Sequence, residues 1–117
     1  MKSIKIIFLF AMLLGASVTS SAQGKTPVTT SFWVAGVCEM CKERIERALD
    51  VPGVRSVSYE LDAHQVTVVY QPKKITEDKL HNLLNAAGHD TSRSMASEEA
   101  YQTVHDCCKY REHEHNH

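Results

Sequence analysis

The chain has 117 residues, with 13 Lys and Arg against 14 Asp and Glu, and this net charge of -1 excludes a basic nucleic-acid binder on electrostatic grounds. One domain is the default at this length, and a chain that buries only about two thirds of its unfolded surface leaves little room for a large catalytic cleft. Of the 50 apolar residues, 14 lie in the first 22 positions, so the other 95 residues support a small core; four Cys and seven His are the excess, and they point to metal and thiol chemistry.

Lys2 and Lys5 precede the apolar run Ile6 to Leu14, and Ser20-Ser21-Ala22 then supplies small residues suited to signal-peptide cleavage. Residues 1–22 are therefore expected to be a removed signal peptide, since the run is too short to cross about 30 Å of hydrocarbon. No cysteine follows the run to carry a lipid. Loss of Lys2 and Lys5 leaves 11 basic against 14 acidic residues, a net charge of -3. The product is expected to be exported, to the bacterial periplasm, with no stable membrane insertion.

Residues 23–30 read as a polar lead-in. Ser31 to Val37, rich in aromatic and β-branched residues, predicts a strand covered on both sides. The period then changes: Cys41, Ile45, Ala48 and Leu49 recur at helical spacing opposite Lys42, Glu43, Glu46 and Arg47, and Asp50-Val51-Pro52-Gly53 ends the helix. Val57, Tyr59 and Leu61, a turn at Asp62-Ala63-His64, and then Val66, Val68 and Tyr70 alternate as a hairpin. Thr76 caps a second helix from Glu77, with Ile75 stapled onto Leu80, a stripe of Leu80, Leu83, Leu84 and Ala87, and Gly88 at its end.

A further strand would complete a split βαβ pattern, an α+β, ferredoxin-like βαββαβ sandwich. The only place for it is His89 to Met95, polar and poorly patterned, so it is expected to be a weak edge strand. The apolar share falls from 27 of 56 residues over 32–87 to 8 of 30 over 88–117, which sets the compact domain at 31–95 and leaves 96–117 as a C-terminal extension. Within it Ser97, Glu98 and Glu99 can start a short helix through Val104, followed by a Cys/His-rich tail.

Cys38-Glu39-Met40-Cys41 lies where the first strand turns into the first helix, so both sulfurs sit near the positive end of the helix dipole, which favours thiolates. Two thiolates complete the shell of an ion content with linear coordination but only half-fill a tetrahedral zinc site, so Cu(I) fits better than Zn(II). A disulfide is the other outcome open to such a pair in an exported protein.

Val34-Ala35-Gly36-Val37-Cys38-Glu39-Met40-Cys41-Lys42-Glu43-Arg44-Ile45-Glu46-Arg47-Ala48-Leu49, followed by Val51-Pro52-Gly53-Val54 and the hairpin, resembles the heavy-metal-associated domain of soluble copper chaperones, metal-pump amino-terminal domains and the periplasmic mercury-binding protein. The resemblance spans Thr30 to about Thr91. It implies a ferredoxin-like fold whose exposed Cys-x-x-Cys, here Cys38 and Cys41, binds a soft metal and passes it by ligand exchange. The usual family motif is Gly-Met-Thr-Cys-x-x-Cys, whereas Gly36-Val37 runs directly into Cys38 here. Cu(I) is the first candidate, then Hg(II), then Zn(II). The partners implied are metal donors or acceptors such as a metal-transporting membrane pump or an efflux system.

Met40 is expected to pack as an apolar anchor, or else to turn its thioether to the metal, and Glu39 to stay solvated. His89, placed by the resemblance near the cysteine pair, is either a ligand or an exposed loop histidine. Lys42 and Arg44 read as a solvated helix face, with charge available to a bis-thiolate or an acidic partner. His105, Cys107, Cys108, His113, His115 and His117 form a second accumulation of ligands, either a metal site or a solvated terminus. Cys107 and Cys108 can bridge to Cys38 or Cys41, or act as a pair of their own. An extended tail with an independent site is favoured, because residues 90–97 offer little apolar area to hold a fold-back. A thiol-disulfide oxidoreductase using the same pair, and a purely structural disulfide domain, are the competing classes.

Overall fold

A computed structural model describes residues 26–112. The expected signal peptide and the histidines at 113, 115 and 117 lie outside these residues. Strand β1 (Val28–Trp33), helix α1 (Glu39–Ala48), strands β2 (Val54–Glu60) and β3 (Gln65–Tyr70), helix α2 (Glu77–Ala86), short helix α3 (Glu98–Tyr101) and a 3-10 turn (Asp106–Cys108) follow in order. The sheet runs β1-β3-β2, antiparallel throughout.

Alternation decides which face of the sheet is covered. Phe32, Tyr59, Val66, Val68 and Tyr70 are buried and join Cys41, Ile45 and Leu49 of the first helical segment and Leu80 and Leu84 of α2 in one core. Ser31 and Thr67 meet across the other face, their hydroxyls 2.9 Å apart. The first strand is thus covered chiefly on one side rather than both, because both long helices pack on the same face. The hairpin is as its pattern predicts, with His64 in the left-handed region at φ 55° to close the turn. Thr76 caps α2 by accepting from the Lys79 N–H at 3.2 Å, and Ile75 and Leu80 are both buried beside that end.

The weak last strand is reduced to a single antiparallel bridge between Val34 and Thr91, flanked by the Ala35 N–H on the Asp90 carbonyl at 2.9 Å and the Ser92 N–H on the Trp33 carbonyl at 3.0 Å. The α+β, ferredoxin-like arrangement is present, with this last strand vestigial. A polar sequence that buries little apolar surface supports only those few rungs.

The largest departure from expectation is the C-terminal segment, which is folded back rather than extended. Tyr101, Val104, Cys108 and Tyr110 are all buried and belong to the main core. The Tyr110 hydroxyl donates to the Gly88 carbonyl at 2.6 Å and accepts from the Asp90 N–H at 3.0 Å. Arg111 pairs with Asp90 at 2.8 Å, donates to the Ala96 carbonyl at 2.7 Å, and lies over the Tyr101 ring at 4.4 Å. Residues 90–97 do not supply the apolar area; the four residues beyond them do, at roughly 1.5–3 kcal/mol for each large side chain fully buried.

Gly88 makes this return possible. At φ 99° it ends α2, and a Cβ there would stand 2.6 Å from the Ala100 carbonyl oxygen and 2.7 Å from Val104 Cγ1. Gly88→Ala therefore combines a left-handed alanine with a steric clash, and is expected to cost more than about 1 kcal/mol in urea unfolding and to expose Tyr101 and Tyr110 fluorescence to quenchers.

His89 gives a pH-dependent prediction. It is fully buried, and burial pushes its imidazole down from 6.5 to about 4. The unfolded chain binds the proton more readily, so this stabilisation is complete above pH about 6.5 and is lost as the pH falls toward about 4, amounting to about 3 kcal/mol across the window. Urea unfolding of His89→Gln, which keeps an uncharged donor, should show a correspondingly shallower acid limb than the wild-type chain.

Candidate metal centre

The loop between β1 and α1 is set by its backbone partners. Val34 N–H donates to the His64 carbonyl at 2.9 Å, and the Val34 carbonyl accepts the Tyr59 hydroxyl at 2.7 Å. Burial pushes that hydroxyl well above its ordinary range, so it remains a donor. The Ala35 carbonyl is 2.8 Å from His89 Nδ1, which must therefore carry the proton in the neutral ring. Gly36 comes next, where a Cβ would lie 2.8 Å from the Tyr59 hydroxyl and 3.2 Å from Cys41 Cβ. A side chain at this position would displace the ring that holds the loop.

Cys38 is the N-cap of α1, extended at φ -148° and ψ 168°, and its side chain makes no capping bond. Its carbonyl accepts from the Cys41 and Lys42 N–H groups at 3.0 and 3.2 Å. The sulfur is thereby left for ligation at the positive end of the helix. Cys41, one turn on, is fully buried in the core. The two sulfurs are 3.4 Å apart.

The C-terminal cysteines come to the same place. Cys38 Sγ lies 2.8 Å from Cys107 Sγ and 2.9 Å from Cys108 Sγ. The sulfurs of Cys38, Cys41 and Cys108 all fall within 4.8 Å of one another, a grouping that can hold a metal ion. Cys41 and Cys108 are paired as a disulfide with their Cα atoms 5.6 Å apart, in the usual range. Cys38 and Cys107 are free thiols, the first half-buried and the second exposed. The hydrogen bond with Cys38 holds the Cys107 thiol above its ordinary range. His105 is exposed at the start of the 3-10 turn.

Several side chains sit elsewhere than expected. His89 is no exposed loop residue: its Nδ1 supports the loop, its ring stacks near Tyr110 at 5.8 Å, and its Nε2 has no hydrogen-bond partner among the described residues. Met40 is 42% exposed and packs little, because its position on α1 faces away from the core. Lys42 donates to Glu46 at 2.8 Å and to the Tyr59 carbonyl at 2.7 Å. Arg44 donates to the Ala87 carbonyl at the end of α2 and to the Thr103 hydroxyl, both at 2.7 Å. These two residues are structural ties rather than a free solvated face. His81, which the periodicity passed over, is buried on the Phe32 ring at 3.9 Å and bonded to the Thr91 hydroxyl at 2.7 Å. Its place one residue after Leu80 in an apolar stripe was the available signal.

Comparison with known proteins agrees with this geometry. Residues 31–90 match the heavy-metal-associated domain. No curated protein matches the chain. Among solved structures the chain is similar to the CopZ metallochaperone, at 29% identity and a TM-score of 0.53 over 55% of this chain and 98% of that one. It is also similar to the N-terminal domain of a potential copper-translocating P-type ATPase from Bacillus subtilis in the Cu(I)-loaded state, at 26% identity and a TM-score of 0.54 over 56% and 85% of the two chains. Oxidized MerP from Ralstonia metallidurans CH34 is similar at 26% identity and a TM-score of 0.54 over 57% and 96%.

These relatives are metallochaperones and metal-binding domains rather than enzymes. The expected periplasmic location is corrected by the same comparison, because most of the similar structures are cytoplasmic chaperone and pump domains. Among the described residues no helix is long and apolar enough to cross a membrane. With its domain match over 31–90 and a cysteine site suited to a soft metal ion at the strand-to-helix turn, the chain belongs to the heavy-metal-associated domain family.

Proposed function

We propose that this chain is a soft-metal carrier that holds one Cu(I) ion through Cys38 and Cys41 and passes it to a cysteine-bearing partner by thiolate exchange. The observation that carries the reading is the convergence of sulfurs at the amino end of α1, with Cys38 left uncommitted by its backbone role. Thiolates are soft donors, and the helix dipole lowers the cost of their negative charge. Hg(II) suits the same donors, while Zn(II) needs a fuller shell than the Cys38–Cys41 pair provides. The similarity to a Cu(I)-loaded pump domain supports a metal-transporting membrane pump as the partner. His89 acts here as a support of the loop, through Ala35, rather than as a ligand.

Ligand exchange needs one sulfur that a partner can reach and one that stays in place. Cys38 is half-buried at the start of the helix, whereas Cys41 is fully buried. An incoming thiolate therefore meets the ion on the Cys38 side, and Cys41 releases after Cys38.

Competition of the reduced protein against a chromogenic Cu(I) chelator tests the reading. The Cys38→Ser/Cys41→Ser double variant should bind at least about a hundredfold more weakly than wild type, a difference of about 2.7 kcal/mol. Equal affinity of the two proteins would remove the pair from the site.

A further inference from the structure

We infer that the C-terminal segment is a working part of the metal site: buried Cys108 supplies a third thiolate to the ion held by Cys38 and Cys41, and exposed Cys107 is the thiolate through which the ion leaves. The inference rests on the carrier reading above and assigns the order in which that site takes and gives up its ion.

The three sulfurs of Cys38, Cys41 and Cys108 lie within 4.8 Å of one another. A trigonal ion with metal–sulfur bonds of about 2.3 Å needs its sulfurs about 4 Å apart, so once the disulfide is open the sulfurs of Cys41 and Cys108, now 3.4 and 2.9 Å from that of Cys38, have to spread apart to admit it. The placement of Cys108 does not rest on the sulfurs alone. Val104 and Tyr110 bracket it in the core, Tyr110 is bonded to Gly88 and Asp90, and Arg44 holds Thr103 on the approach. The third donor is thus presented by packing already in place, and an intramolecular ligand of this kind acts at an effective concentration that a free thiol does not reach.

Exposure is graded across the four cysteines. Cys41 and Cys108 are both 0% exposed, Cys38 is half-buried and Cys107 is exposed. Cys107 stands outside the three-sulfur group yet touches Cys38 at 2.8 Å. Its backbone neighbour is Cys108 and its sulfur already meets that of Cys38, so it approaches the ion from the Cys38 side. In that step a metal bond to Cys107 forms as the bond to Cys108 breaks. The Cys107 thiol gives up its proton, the departing Cys108 thiolate takes one up, and no electrons are exchanged. Metal entry requires the Cys41–Cys108 disulfide to be opened first by a dithiol reductant. Each of the two sulfurs then gains one electron and one proton, while the dithiol closes to its own disulfide.

The test uses the full chain, reduced and oxygen-free, with Cu(I) alone as the probe. X-ray absorption should count three sulfurs on the ion in wild type and two in Cys108→Ser, with affinity falling at least about tenfold. Cys107→Ser should keep three sulfurs on the ion, while its release to a chelator in stopped flow slows about fivefold or more. Because Cys108→Ser alters a buried position, Tyr110→Phe provides a second variant that retains every sulfur and should release the ion faster than wild type. Two sulfurs in wild type, unchanged affinity in Cys108→Ser, or unchanged release in Cys107→Ser would overturn the inference. None of these results touches the carrier reading, which fails only if the Cys38→Ser/Cys41→Ser chain binds as wild type does.

Discussion

Four backbone groups on Val34 and Ala35 are each satisfied by a different residue: His64 O, Tyr59 Oη, Asp90 O and His89 Nδ1. Those partners come from the hairpin turn, β2 and the stretch after α2. A buried peptide group without a partner is costly, so the crossing is strongly favoured as it stands. It fixes where the chain leaves the sheet, and therefore where Cys38 begins α1. Gly36 is the steric complement of the same constraint, because the Tyr59 hydroxyl occupies the space a side chain would need.

The C-terminal return depends on that crossing as well. Asp90 offers its carbonyl to Ala35, its N–H to Tyr110 and its carboxylate to Arg111, so one residue joins the metal loop to the last segment. Cys41 and Cys108 are 67 positions apart, and a loop of that length is entropically costly to close in an unfolded chain. The aromatic and aliphatic burial of Tyr101, Val104 and Tyr110 offsets that cost before any sulfur chemistry is considered. Metal coordination and disulfide formation thus act on an arrangement that packing also supports.

The vestigial last strand is consistent with this division of labour. In place of a full edge strand, the chain uses one bridge at Val34 and Thr91 and then spends its remaining apolar residues on the return segment. Arg44 also serves both tasks, satisfying the carbonyl of Ala87 at the end of α2 and holding Thr103. An exposed charged residue on a helix would contribute little; a guanidinium bonded to two fixed acceptors joins three segments.

Periodicity by itself determined the two long helices, the hairpin, the cap at Thr76 and the cysteine pair at a helix start, because each is a local pattern repeated over several residues. The family resemblance rested on the same local run from Val34 to Leu49. The tertiary structure decided what depends on distant partners. Lys42 and Arg44 look solvated in a helical wheel, and only the positions of Tyr59, Ala87 and Thr103 turn them into ties. His89 could be read as ligand or loop until Ala35 and Tyr110 enclosed it. The sequence favours an extended tail because residues 90–97 carry little apolar area; the apolar residues beyond them take effect by meeting one prepared surface around Gly88, which no count of composition along the chain reveals.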